Sequence, residues 1–142
     1  QNNELYDFMQ IIKSMTIEMC DRLSLNFDEQ KYHVHGWINR YVGELKYTDK
    51  KDLPWHNHGP ANDEFHGLLS VDSEPSITHY KIDGEDMDLQ QINGRCVLLT
   101  NYEHSHGGDW NSEKPRITLA FNVKPIKGLP DRSFGWAPYI PL

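Results

Sequence analysis

Eight histidines stand in this 142-residue chain, and six of them form three His-x-His pairs, His33/His35, His56/His58 and His104/His106. In an extended strand, side chains two residues apart project from the same face, so each pair is able to aim two imidazoles at one point. Neutral imidazole is a ligand for Fe, Zn, Cu and Ni. Convergence of two such pairs would make a metal centre. Arg116 is the second residue type that could do chemistry. In Arg116-Ile117-Thr118-Leu119-Ala120-Phe121-Asn122-Val123 the apolar Ile117, Leu119, Phe121 and Val123 share one face of a strand, and Arg116, Thr118, Ala120 and Asn122 share the other. That second face is half exposed on an open sheet, or it is the lumen if the strand closes a barrel. A guanidinium in a lumen calls for a carboxylate, which Arg grips through two parallel N–H bonds. The strand itself carries no acidic residue, so a ligand carboxylate is the natural partner.

Several elements are needed to position these groups. Leu5, Phe8, Met9, Ile12, Met15, Met19 and Leu23 recur mostly at three- and four-residue steps. That spacing predicts an amphipathic helix whose Met and aromatic stripe packs on a core, closed by Asn26 and the polar stretch through Lys31. After residue 31 the texture changes to short runs rich in β-branched and aromatic residues, at His33–Val42, Phe65–Val71, Ile77–Ile82, Arg95–Thr100 and Arg116–Val123. Turn chemistry separates them at Gly59-Pro60, Asp83-Gly84, Asn93-Gly94 and Gly107-Gly108. Strands at this spacing predict a mainly β fold, a helix followed by a jelly-roll-like barrel. One domain is expected over residues 1–142, with helical support at 1–27, a barrel core at 33–125 and a Pro-rich wrap at 126–142 carrying Pro130, Trp136, Pro138 and Pro141.

Composition excludes some classes of function. The net charge is −7 and no basic run exceeds Lys50-Lys51, whereas nucleic-acid binding works by neutralising phosphates with clustered Lys and Arg. No apolar stretch approaches the ~18 residues of a membrane span. A soluble, cytoplasmic protein is expected, and since the chain opens on Gln1 its natural start is expected upstream. Cys20 and Cys96 read as reduced, packed thiols rather than a disulfide. The acidic run Asp83–Asp88 reads as a solvated loop, since it does not fit a calcium-binding loop pattern.

Five segments carry a resemblance. His56-Asn57-His58, Phe65-His66-Gly67-Leu68-Leu69-Ser70-Val71, Asn93-Gly94-Arg95-Cys96-Val97-Leu98-Leu99, His104-Ser105-His106 and Arg116-Ile117-Thr118-Leu119-Ala120-Phe121-Asn122 together resemble the Fe(II)/2-oxoglutarate-dependent oxygenases. The resemblance is to the prolyl-hydroxylase-like branch with its small phage and marine bacterial members, and it spans roughly residues 33 to 125. It implies a double-stranded β-helix holding Fe(II), with 2-oxoglutarate and O₂ as cosubstrates and a peptide or small molecule as the hydroxylated substrate. It places His56 on the first ligand and Arg116, with Thr118, on the group that grips the far carboxylate of 2-oxoglutarate. His106 precedes Arg116 by ten residues and fits the distal ligand, ahead of His104 at twelve.

This sequence departs from the pattern at the second ligand, where the 2-His-1-carboxylate triad has Asp or Glu and this chain has His58. Three readings stand: a His56/His58/His106 site, a site to which Asp63 supplies the carboxylate, and a scaffold without metal. The shared strand face of His56 and His58 favours the first, with Asp63 and His104 in reserve.

Of the remaining candidates, Tyr80 and Asn39 are expected to line the cosubstrate pocket, and Trp55 and Trp110 its rim. His33, His35, His66 and His79 read as packed, hydrogen-bonded residues. Two other functions compete on the same barrel. One is a cupin-like enzyme with three His ligands that uses no 2-oxoglutarate; the other is a non-catalytic jelly-roll binding module.

Overall fold

The computed structural model describes residues 3–42, 54–58, 63–100, 102–108, 113–128 and 139–142. The expected sites at Lys50-Lys51, Gly59-Pro60, Trp110, Pro130, Trp136 and Pro138 lie outside them. Helix α1 runs Asn3–Leu23, a short α2 runs Phe27–Gln30, and the strands follow as β1 (His33–Tyr41), β2 (Phe65–Asp72), β3 (Ser76–Ile82), β4 (Glu85–Gln90), β5 (Cys96–Thr100), β6 (Glu103–Gly108), β7 (Arg116–Lys124) and β8 (Ile140–Pro141).

The predicted stripe packs, with corrections at its ends. Ile12, Thr16 and Cys20 are the buried line of α1, with Phe8, Met9, Met15 and Met19 partly buried beside them, whereas Leu5 and Leu23 are exposed. Thr16 tolerates burial because its hydroxyl donates to the carbonyl of Ile12 at 2.8 Å. The helix stops at Leu23 rather than running to Asn26. Ser24 takes a left-handed φ of 56°, and Asn26 instead caps α2, its Oδ1 accepting from the amides of Asp28 and Glu29.

Among the described residues, eight antiparallel strands form two sheets, ordered β5-β2-β7-β1-β8 and β4-β3-β6. The smaller sheet is extended by a bridge from His56 to His104 on β6. Apart from the β3–β4 hairpin and the terminal β8, successive strands alternate between sheets, β1, β2, β5 and β7 in one and the His56 segment, β3, β4 and β6 in the other. This is the winding of a double-stranded β-helix, and the expected mainly β jelly-roll class with an N-terminal helix is observed.

Two strands were not legible as such. The acidic run Asp83–Asp88, read as a loop, instead contributes to edge strand β4 (Glu85–Gln90), joined to β3 by a turn with positive φ at both Asp83 (53°) and Gly84 (86°). Gly107 and Gly108, read as a turn, continue β6 opposite Ile77 and Ser76.

Alternation along the large sheet separates two environments. Val34, Phe65, Leu98, Phe121 and Val123 face α1 and form the apolar core with Ile12, Cys20 and Tyr32. The Phe8 ring meets Phe121 edge-on at 5.8 Å, and Tyr32 stacks between Phe27 and Phe65. Burying each such large side chain is worth about 1.5–3 kcal/mol. Gly67 makes room for this packing, because a Cβ there would lie 2.0 Å from the Phe121 ring.

The opposite face looks at the small sheet. By register, Trp37, Asn39 and Tyr41 lie across from Ala120, Thr118 and Arg116, and His66 and Ser70 across from Asn122 and Thr118. Thr78 and Tyr80 of β3 lie across from His106 and His104 of β6. The barrel lumen is therefore largely polar, with Leu68, Tyr80 and Ala120 as its buried apolar members, and the main apolar core lies outside it under the helix. At the chain's end β8 pairs with β1, and the Leu142 amide donates to the Tyr32 carbonyl at 3.0 Å. Among the described residues no helix is long and apolar enough to cross a membrane. Both cysteines are free, Cys20 buried and Cys96 half-buried.

Candidate metal centre

His56 and His104 exchange both backbone hydrogen bonds at 2.9 Å across the edge of the small sheet. That bridge brings their rings to 4.3 Å. His58, two residues on, lies with its ring 5.4 Å from His56 and 5.2 Å from His104. One nitrogen from each of His56, His58 and His104 falls within 4.8 Å of the others, and this is the sole such gathering of His, Cys, Asp and Glu among the described residues.

Proton placement suits these donors to a metal. The Nδ1 of His56 lies 3.0 Å from the Pro54 carbonyl and that of His104 lies 3.1 Å from the Tyr102 carbonyl. A carbonyl only accepts, so each Nδ1 carries the hydrogen and each Nε2 keeps its lone pair. The Nε2 of His104 is buried with no hydrogen-bond partner among the described residues, a costly arrangement unless something there accepts its lone pair. The residues fit a divalent cation held by imidazoles, with the ring-to-carbonyl contacts that orient metal-bound His.

Burial keeps His58, His66, His104 and His106 neutral. It pushes His58 down to about 3, helped by the neighbouring imidazoles of His66, His104 and His56. It pushes His66 and His104 down to about 4, partly offset by their hydrogen bonds to Asn122 and Tyr102. His106 is driven well below the usual histidine range by burial and by the adjacent Arg116. At neutral pH each of these rings keeps one N–H and one nitrogen lone pair.

His66, read from sequence as a packing residue, belongs to this cluster. Its ring stacks on His58 at 3.7 Å and 8°, and its Nδ1 lies 3.0 Å from the Asn122 Oδ1. Trp37 lies 5.9 Å from the His58 ring and 6.2 Å from His66. A lone His without a His-x-His partner gave no sign of this. Its position on the lumen face of β2 follows only from pairing with β7.

The other expected site residues fall as follows. His106 lies with its ring 5.2 Å from His104 and 5.8 Å from His56, and it is not one of the three gathered donors. Its Nδ1 is 3.3 Å from Arg116 Nη2 and 3.1 Å from Thr78 Oγ1. Asp63 pairs with Lys127 at 2.6 Å and is likewise outside the group. Arg116 is 1% exposed, and its Nε donates to Ser76 Oγ at 3.3 Å. Burial lowers Arg116 to about 10, which leaves it cationic at neutral pH. Thr118 is fully buried, with its hydroxyl unpartnered among the described residues. Tyr80 lies 5.8 Å from the His104 ring, and burial raises its phenol to about 12. Asn39 is opposite Thr118 on the lumen face.

Of the residues expected merely to pack, His33 and His35 sit away from the cluster, the first on the Lys31 carbonyl and the second against Trp37 and Tyr139. His79 faces outward and pairs with Asp88 at 2.6 Å. Trp55 is 40% exposed, with the Lys81 ammonium 4.5 Å above its ring.

No protein-family model matches the chain, and none of the curated proteins matches its sequence. Among solved structures it is similar to a cupin domain from Bordetella pertussis Tohama I, at 13% identity and a TM-score of 0.44 over 65% of this chain and 82% of that one. It is also similar to a cupin protein from Bacteroides fragilis, at 19% identity and a TM-score of 0.39 over 78% of this chain and 76% of that one. A third similar structure is the cupin domain of an XRE-family transcriptional regulator from Enterobacter cloacae, at 14% identity and a TM-score of 0.36 over 67% of this chain and 83% of that one. At such identities no residue's role carries across.

Proposed function

We propose that this protein is a non-haem Fe(II)- and 2-oxoglutarate-dependent oxygenase that hydroxylates a C–H bond of a peptide or small molecule. His56, His58 and His104 hold the metal, and Arg116 with Thr118 receives the far carboxylate of 2-oxoglutarate. The observation that carries this reading is the buried Arg116 guanidinium in the same polar lumen as three converging imidazoles. When bound, the iron supplies the activation of O₂, one oxygen atom going to the C–H bond and the other to succinate as CO₂ leaves the cosubstrate.

The protein's own contribution is positioning and exclusion of water. Neutral imidazoles leave the positive charge of the metal unbalanced, which favours a dianionic cosubstrate over a neutral one. Arg116 supplies the second cationic end of that site, and the unpartnered Thr118 hydroxyl is available as a further donor. Tyr80 and Asn39, on the lumen faces of β3 and β1, form the walls between the two ends. Ser70, Gln91, Thr78 and Ser76, all buried, give this lumen a rigid hydrogen-bonded floor.

The donor chemistry favours a second reading. Three neutral nitrogens without a carboxylate equally suit a cupin-like metalloenzyme that works without 2-oxoglutarate, with Arg116 serving structure. Anaerobic addition of Fe(II) and then 2-oxoglutarate separates the two. A visible charge-transfer band that Arg116→Ala abolishes is the expected result. Tight iron binding without the band selects the second reading, and absence of metal binding overturns both.

A further inference from the structure

His106 stands two residues beyond a proposed ligand and has the spacing to Arg116 that would make it one itself. Its hydrogen bonds point to a different task. An arginine guanidinium has five N–H groups and no acceptor, so its Nη2 contact at 3.3 Å requires the His106 Nδ1 to be the acceptor. Thr78 fits the same arrangement. Its oxygen accepts from Gln91 Nε2 at 2.6 Å, and its hydroxyl, which also meets the Tyr80 phenol, lies 3.1 Å from the His106 Nδ1 as a second donor to it. Ser70 in turn donates to Gln91 Oε1. A directed chain therefore runs Ser70 to Gln91 to Thr78 to His106, met from the other side by Arg116, whose Nε is anchored on Ser76. Every member of this chain is buried.

The ring proton of His106 must then sit on Nε2. This is the opposite tautomer to His56 and His104, whose Nδ1–H groups face carbonyls. His106 thus has its one lone pair spent on Arg116 and Thr78, and its other nitrogen is blocked by hydrogen.

We propose that His106 is not a metal ligand but the positioning residue that holds the Arg116 guanidinium, and so sets the affinity of the lumen for a carboxylate. The carboxylate half rests on the function proposed above; the tautomer and the metal half do not.

The test uses the metal-free protein labelled with ¹⁵N-histidine, and then Zn(II) and 2-oxoglutarate as separate probes. Long-range ¹⁵N–¹H correlation is expected to show His106 protonated at Nε2, and His56 and His104 protonated at Nδ1. Zn(II) is expected to shift the Nε2 signals of His56 and His104 without changing the tautomer of His106. His106→Asn keeps an acceptor for Arg116, and His106→Leu removes it. Both are expected to bind Zn(II) as the wild type does, whereas His104→Ala loses it. With Zn(II) in place, the Leu variant is expected to bind 2-oxoglutarate about ten-fold or more weakly, and the Asn variant within a few-fold of wild type.

A His106 protonated at Nδ1, or Zn(II) affinity lost in both His106 variants, overturns the proposal. Wild-type 2-oxoglutarate affinity in the Leu variant overturns the positioning role. If the wild-type protein binds Zn(II) but no 2-oxoglutarate, the function reading fails, and the tautomer and the Zn(II) titrations still decide the place of His106.

Discussion

A histidine able to hold a metal must reach neutral pH without a proton on the coordinating nitrogen, and at His58 and His104 burial does most of that work. His58, pushed down to about 3, and His66 and His104, pushed down to about 4, stay neutral in the fold far below the value of 6.5 expected in the unfolded chain. Between those limits the unfolded chain takes up protons that the native one refuses. Stability is then fully present above about pH 6.5 and falls as the pH is lowered toward about 3. Urea unfolding of the metal-free protein at a series of pH values should show the midpoint dropping steadily through that window. A flat midpoint would mean that the cluster is solvated. At this scale much was legible, since His-x-His spacing marks pairs on one strand face whatever the tertiary structure. Which of His104 and His106 gathers with His56 and His58 was not. Spacing to Arg116 depends on the length of the segment joining β6 to β7, whereas the bridge to His56 and the contact with Arg116 are three-dimensional facts.

Strand β7 shows what an element adds to its residues. Its odd-numbered positions Phe121 and Val123 close the core under α1, and its even-numbered positions Arg116 and Thr118 furnish the lumen. The fit is tightest where the Phe121 ring lies over Gly67 of β2. Gly67→Ala should therefore cost about 1–3 kcal/mol, because a packed ring has to move. Chemical denaturation checks this, with Zn(II) affinity of the folded variant expected to hold. The alternation of β7 was plain in its sequence, but that of β4 was not. Glu85, Asp86 and Asp88 look like a loop because an edge strand paired on one side accommodates charges that an interior strand excludes. The helix end was misplaced for a related reason. Asn26 signals a cap in sequence, but only the backbone shows which helix it caps.

Across the whole molecule, the apolar core and the polar lumen lie on opposite sides of one sheet. The barrel has only a few apolar side chains in its own interior, such as Leu68, Tyr80 and Ala120, and depends on α1 to cover its outer face. Removing residues 1–27 should leave Val34, Phe65, Leu98, Phe121 and Val123 uncovered, and the truncated chain is expected to be insoluble or unfolded by circular dichroism. A folded, metal-binding truncation would show that the lumen alone sustains the barrel. The broad architecture was legible from the helix stripe and the strand spacing, but not the side of the sheet on which the core lies, since alternation alone leaves inside and outside undefined. The separation also bears on how such a protein changes over generations. Because the same strand writes stability on one face and chemistry on the other, substitutions confined to lumen positions such as Arg116, Thr118 and Asn122 leave the helix-facing core intact. New ligand preferences are thus open to selection without passing through unfolded ancestors.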